Sequence, residues 1–169
     1  ALSGFVGRTP LNGGGPTVEE VPACNASRPL APVESSNMSE PILRVVLVED
    51  SPRIRARIAE SLSEMPNVCI AGEAETEREA IALLERGGWD AVVLDLQLKQ
   101  GTGISVLKAL RTHSRPSGTR VIVFTNYAFP QYRDRSMALG ADFFFDKSRE
   151  FHRVREVLAD MAGSAPVAG

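Results

Sequence analysis

The chain has 169 residues, of which 43% are apolar and 24% are charged, and its formal net charge is −2. This composition is typical of a globular protein with about one domain of ordinary size, and the small net charge excludes a generally basic surface that would attract nucleic acid. Because we find neither a stretch of roughly 18 apolar residues nor a secretory signal, we expect a cytoplasmic protein that contacts neither nucleic acid nor membrane directly.

Residues 1–40 differ in character from the rest of the chain. Gly, Pro and Ser occupy 15 of these 40 positions, and the apolar residues show no helical or strand period. Such a segment cannot bury enough apolar surface to offset the entropy lost on ordering. We therefore predict a disordered extension. The alternatives are a docking peptide and upstream sequence wrongly included in the chain.

Residues 41–161 alternate between β-branched apolar runs and amphipathic segments, which predicts one α/β domain followed by a flexible tail at residues 162–169. Strands are predicted at residues 42–48, 68–72, within 89–98 (ending at Asp95), at 119–124 and at 141–145. Helices are predicted from Ser51-Pro52 onward and at residues 76–86, 104–113, 130–139 and 148–161. Repeated βα units with right-handed crossovers force a parallel sheet covered on both faces. The compact solution is a doubly wound, flavodoxin-like (βα)5 fold with strand order 2-1-3-4-5.

Polar side chains stand at the carboxyl ends of four predicted strands, which meet at one edge of such a sheet. They are Glu49-Asp50, Asp95, Thr125 and Lys147. Three acids close together raise the pKa of at least one of them, and a hard divalent cation with oxygen ligands, Mg²⁺ or Mn²⁺, relieves the repulsion. A hydroxyl and an ammonium beside them suit a tetrahedral anion. The set predicts an aspartate that becomes phosphorylated.

These residues lie in four motifs that resemble those of a bacterial response-regulator receiver domain. The intervals are also similar, with 45 residues from Asp50 to Asp95, 30 to Thr125 and 22 to Lys147. The motifs are Val48-Glu49-Asp50-Ser51-Pro52, Val93-Leu94-Asp95-Leu96, Phe124-Thr125-Asn126, and Gly140-Ala141-Asp142 with Phe145-Asp146-Lys147.

The resemblance implies a role for each residue at the strand ends. Asp95 would be the phosphoacceptor and would take its phosphoryl group from a histidine kinase or a phosphotransfer protein. Glu49 and Asp50 would hold Mg²⁺, the one cofactor expected, together with Asp95 and the backbone carbonyl of Gln97. Thr125 and Lys147 would bind the phosphoryl oxygens.

The resemblance also implies a switch and an output surface. Phe144 occupies the position of the family's switch aromatic, which rotates inward with the threonine on activation, although it could instead only pack under the last helix. Phe143 and Phe145 should point to the opposite face, into the core, because side chains alternate along a strand. The last two helices and the fifth strand would form the output surface, which includes Tyr132, Arg133, Arg135 and Phe144.

Three positions depart from the commonest family pattern. The loop at residues 98–101 lacks the usual proline. Ser148 replaces a proline after Lys147, which predicts a trans peptide bond and an N-cap for the last helix. Asn126 is larger than the Ala or Gly often found there, and we expect it to slow access to a phosphoryl group.

Fewer than ten residues follow the last predicted helix, which favours a stand-alone receiver without an effector domain. Such a protein would be no enzyme beyond its own phosphoryl transfer and dephosphorylation, and would act through a partner protein. The competing hypothesis is an interaction module of receiver fold in which phosphorylation plays no part. Two further alternatives are disfavoured. The sequence has no lid segment, as a hydrolase with Asp95 as nucleophile would need, and no phosphate-binding loop after the first strand, as a flavin-binding domain would need. The first-helix arginines, Arg53, Arg55 and Arg57, are interpreted as a solvated face.

Overall fold

The computed structural model describes residues 41–113 and 115–163, which form five strands and five helices in strict alternation. The strands are β1 (Leu43–Val48), β2 (Val68–Ala74), β3 (Ala91–Leu94), β4 (Arg120–Thr125) and β5 (Phe143–Asp146). The helices are α1 (Pro52–Ser63), α2 (Glu77–Glu85), α3 (Gly103–Thr112), α4 (Pro130–Ala138) and α5 (Phe151–Gly163).

The strands form one parallel sheet in the order β2-β1-β3-β4-β5, which confirms the predicted doubly wound fold. The order reverses next to β1, so the crevice above β1 and β3 is where a fold of this kind binds its ligand. The register pairs Val48 with Leu94 at that edge of the sheet. The residues that follow them, Glu49 and Asp95, are therefore neighbours.

Two apolar layers cover the sheet. The first packs α2 and α3, with Leu139 beyond the end of α4, against one face, while the second packs α1 and α5 against the other. Phe144 lies in the first layer and Phe145 in the second, with Phe143 packed against it. The predicted alternation along β5 is thus confirmed. Phe144 does not lie under α5, because its ring faces the layer of α2, α3 and α4.

The start of α1 follows the prediction. Ser51 is its N-cap, with its hydroxyl accepting the N–H of Ile54 at 3.4 Å, and Pro52 occupies the first helical position. Proline is tolerated there because an N–H at that position would have no partner within the helix. Glu49 and Asp50 are consequently held between the end of a buried strand and a capped helix.

The predicted start of the last helix is wrong. Ser148 is not an N-cap, since α5 begins at Phe151. Its N–H and hydroxyl instead donate to the Asp146 carboxylate at 2.8 and 2.6 Å, and these bonds hold the pKa of Asp146 below its ordinary value. These bonds hold Ser148 in the turn that follows β5, three residues before the helix begins. Every peptide bond in the described residues is trans, as expected after Lys147.

Several predictions fall at or beyond the described ranges. The extension at residues 1–40 and residues 164–169 of the tail lie outside them, whereas residues 162 and 163, predicted as tail, belong to α5. Cys69 lies in β2, and Cys24 lies outside the described residues. No helix in those ranges has the length and hydropathy of a membrane span.

The layer under α5 should carry much of the stability. Leu158 is fully buried there, so Leu158→Ala should lower the free energy of unfolding by about 2–5 kcal/mol through lost apolar burial and the cavity left behind. Met137→Ala is the control, because Met137 is 44% exposed and its truncation should change stability by less than about 0.5 kcal/mol. Urea unfolding followed by circular dichroism measures both. Equal losses in the two variants would contradict this account of the core.

Candidate functional site at the carboxyl edge of the sheet

The sheet brings the predicted strand-end residues to one place. Glu49 follows β1, Asp95 follows β3, Thr125 ends β4 and Lys147 follows β5. All four come from neighbouring strands, and β4 and β5 are in register with Thr125 opposite Asp146. The residues converge because the strands are parallel and end at the same level.

Lys147 lies between two carboxylates. Its Nζ donates to Oδ2 of Asp95 at 2.5 Å and also to Oε2 of Glu49. The side chains are almost buried, with 6% of Lys147, 6% of Asp95 and 2% of Glu49 exposed. Charges removed from water in this way require partners, and the one ammonium serves both acids.

A third carboxylate completes an acidic group. One oxygen each from Glu49, Asp50 and Asp95 lies within 4.8 Å of the others, and Asp50 is the half-buried member. Three carboxylate oxygens without nitrogen or sulfur ligands form the donor set that Mg²⁺ prefers, with further positions left for water. The residues present therefore fit a small hard cation.

Burial raises the pKa of Glu49 above its ordinary value of 4.5, and the hydrogen bond and charge of Lys147 only partly oppose this effect. The nearby charge of Asp95 raises it further, while the N–H of Ser51, donated to Oε1 at 3.1 Å, lowers it. Folding thus makes the ionised form of Glu49 less favourable than it is in the unfolded chain. The ammonium of Lys147 therefore does not fully offset the cost of burying the Glu49 carboxylate.

Thr125 lies beside the acidic group with no exposed surface. Its Oγ1 accepts the N–H of Tyr127 at 3.2 Å, which orients the hydroxyl at the strand end. A hydroxyl carries one proton to donate in addition to the bonds that it accepts. The hydroxyl proton of Thr125 is therefore available for donation to a group bound beside the acids.

The loop between β3 and α3 approaches Asp95 closely. The N–H of Gln97 donates to Oδ1 of Asp95 at 3.2 Å, and Gln97 pairs with Thr102 in an isolated antiparallel bridge. A Cβ on Gly103 would lie 2.1 Å from the carbonyl oxygen of Asp95. Any side chain at Gly103 would displace the backbone of Asp95. Gly103 could not be identified from the sequence, since only the fold shows that α3 begins against the backbone of Asp95.

The prediction that Arg55 belongs to a solvated face is wrong. Its side chain is 16% exposed, and its Nη1 donates to the backbone carbonyl of Glu49 at 2.9 Å. Nε and Nη2 pair with Glu73 and Glu75, each at 2.9 Å. The signal in the sequence was the spacing of Glu73 and Glu75, two acids at alternate positions where β2 ends beside β1.

The predicted switch aromatic lies inside the protein. Phe144 is 3% exposed, and the guanidinium of Arg133 in α4 stands over its ring at 4.9 Å. Arg133 is exposed on its other side, as are Tyr132 and Arg135. The contact of Arg133 with Phe144 thus connects the exposed surface of α4 to β5.

A family model described as the response regulator receiver domain matches residues 45–159. Protein-glutamate methylesterase/protein-glutamine glutaminase 1 of Methanospirillum hungatei is 29% identical over 116 residues, which are 69% of this chain and 34% of that protein. Nitrate/nitrite response regulator protein NarL of Escherichia coli is 29% identical over 106 residues, 63% of this chain and 48% of NarL. The chain thus spans less than half the length of these curated relatives.

Solved structures show the same fold. A two-component response regulator of the LuxR family from Aurantimonas superposes with a TM-score of 0.64 at 26% identity, over 72% of this chain and 86% of that one. The response regulator domain of Thermotoga maritima CheB gives 0.62 at 20% identity, over 74% and 99%.

Because the pKa of Glu49 is raised, the stability of Glu49→Gln relative to wild type should increase with pH. The proton binds Glu49 more tightly in the folded state, so the stability of wild type relative to Glu49→Gln is highest below pH 4.5 and falls as the pH rises above 4.5. Urea unfolding of both proteins at pH 4 and pH 7 measures it. Glu49→Asp keeps a titrating carboxyl and should retain a pH-dependent loss. A stability difference between Glu49→Gln and wild type that does not change with pH would contradict the prediction.

Proposed function

Because the chain belongs to the response regulator receiver family, we propose that it is a two-component signalling switch whose phosphoacceptor is Asp95. The contact of Lys147 with both Asp95 and Glu49 carries this assignment, since it places an ammonium against the residue that would receive the phosphoryl group. The third acid, Asp50, lies within 4.8 Å of both carboxylates. Acidic, hydroxyl and ammonium groups around one carboxylate suit phosphoryl transfer.

Asp95, Lys147 and Thr125 have different roles in the proposed phosphoryl transfer. A carboxylate oxygen of Asp95 attacks the phosphorus of a phosphohistidine on the donor protein, so that a P–O bond forms while the P–N bond breaks and the electron pair returns to the imidazole. The ammonium of Lys147 pairs with the negatively charged phosphoryl group, and the Thr125 hydroxyl donates a hydrogen bond to one of the phosphoryl oxygens.

Glu49, Asp50, Asp95 and the backbone carbonyl of Gln97 would hold Mg²⁺. The bound cation supplies positive charge that neutralises the acids and the phosphoryl oxygens. The N–H of Gln97 donates to the Asp95 carboxylate at 3.2 Å, and this contact supports the inclusion of Gln97 among the metal ligands. The role of its carbonyl is part of the proposal.

The partners follow from this chemistry. The donor is a histidine kinase or a phosphotransfer protein, in a cytoplasmic setting, and the chain acts as a phosphoacceptor and not on outside substrates. Thr125 and Phe144 form the switch, and the surface of Tyr132, Arg133 and Arg135 reports it to a protein partner. The contact between Arg133 and the Phe144 ring supports this route, because displacement of the ring must also displace a residue of α4. The expectation of a receiver without an effector domain stays a prediction.

Phosphorylation can be measured directly. Incubation with Mg²⁺ and acetyl phosphate should add one phosphoryl mass to the intact protein, and Asp95→Asn should abolish the addition. Asp134→Asn is the matched control, since Asp134 is exposed on α4 and does not belong to the acidic group, and its variant should be phosphorylated like wild type. An unmodified wild-type protein would sink the proposal and favour the phosphorylation-independent interaction module.

Asn126 provides a second measurement at the same site. It follows Thr125 at the exposed rim, where its side chain can restrict the approach of water to a phosphoryl group on Asp95. Asn126→Ala should therefore lose the phosphoryl group several-fold faster after removal of acetyl phosphate, as followed by intact mass over time. An unchanged or longer lifetime would show that Asn126 does not shield the site.

A further inference from the structure

Arg55 connects three parts of the chain around the acidic group. Its guanidinium donates to the carbonyl of Glu49 at the end of β1 and pairs with Glu73 in β2 and with Glu75 just beyond it, each at 2.9 Å. A guanidinium presents five N–H donors in a rigid planar fork, so it can serve three acceptors at once. With 16% of its side chain exposed, these bonds are largely shielded from water.

The bond to the Glu49 carbonyl bears on the metal site. That carbonyl belongs to the peptide group joining Glu49 to Asp50, two of the three acids that come within 4.8 Å of one another. Fixing this peptide plane limits how the backbone turns from β1 into α1. It thereby limits where both carboxylates can lie.

Glu75 extends the connection to the loop that follows Asp95. Its Oε1 holds Arg55, its Oε2 pairs with Lys99 Nζ at 3.3 Å, and its backbone carbonyl accepts the Lys99 N–H at 3.0 Å. The hydrogen bonds from Arg55 and then Lys99 keep the pKa of Glu75 below its ordinary value. Two loops that supply metal ligands are therefore linked through one carboxylate.

We propose that Arg55 is a positioning residue for the cation site, and that Glu75 couples it to the loop carrying Asp95 and Gln97. The inference rests on the proposed Mg²⁺ site. A lysine at this position keeps the charge but cannot donate in a fork to three acceptors. Groups that orient metal ligands typically change metal affinity by about 10–100-fold when they are replaced.

The test is a Mg²⁺ titration of the unphosphorylated protein followed by amide NMR shifts. Arg55→Lys should weaken Mg²⁺ binding by about tenfold. Arg53→Lys is the matched control, because Arg53 is exposed on the same helix and forms no ion pair with any described residue. It should bind Mg²⁺ like wild type. Equal affinity in Arg55→Lys and wild type would overturn the inference.

A second variant separates positioning from stability. Glu75→Gln should weaken Mg²⁺ binding, and its effect should not add to that of Arg55→Lys, because both break the same connection. Urea unfolding without Mg²⁺ should show little change for Glu75→Gln, whose side chain is 32% exposed. Affinity losses that add independently, or an affinity loss confined to a variant that also loses stability, would overturn the positioning role.

The wild-type titration distinguishes the two proposals. If wild type binds Mg²⁺ and accepts a phosphoryl group while Arg55→Lys binds Mg²⁺ equally well, the inference about Arg55 fails and the proposed function stands. If wild type binds no Mg²⁺, the proposed metal site fails, and the role of Arg55 fails with it.

Discussion

The ammonium of Lys147 is the condition on which the site depends, because it allows two carboxylates to be buried side by side. Without it, Glu49 and Asp95 would face each other in a region where only 2% and 6% of their side chains meet water. Removing one partner of a buried ion pair typically costs about 3–5 kcal/mol, since it leaves an uncompensated charge. The register of β1, β3, β4 and β5 serves to bring this one cation to the acids.

Lys147 offsets only part of the cost of burying these carboxylates, and this leaves room for the cation that a receiver domain would bind. The pKa of Glu49 stays above its ordinary value even with Lys147 in contact, because burial is the largest effect on it, and three carboxylates lie around this one ammonium. A site neutralised by its own side chains would gain little from an added cation. The fold gives up stability here and retains attraction for positive charge.

Much of the fold and part of the site could be predicted from the sequence. The strand order followed from alternating β and α segments, and the convergence of Asp95 with Lys147 followed from their positions at strand ends. Arg55, Gly103 and Ser148 could not be interpreted correctly, each for a physical reason. Arg55 pairs with acids of another element, Gly103 is required by a tertiary backbone contact, and Ser148 bonds to the strand before it instead of the helix after it. Arg55 and Gly103 depend on contacts between elements distant in the chain, whereas the bond of Ser148 to Asp146 is local and competes with its expected role at the helix start.

The attachment of α4 has a consequence for how this helix can respond. Of its nine residues, all of which the structure describes, Ser136 alone is buried, and its hydroxyl has no hydrogen-bond partner among the described residues. The helix therefore contributes almost no apolar area to the core, and little hydrophobic free energy opposes its displacement. Its contacts with other elements include the bond from Arg111 Nη1 to the Ala138 carbonyl at 3.4 Å and the stacking of Arg133 over Phe144. A shift of α4 would therefore leave the apolar layers on both faces of the sheet nearly intact.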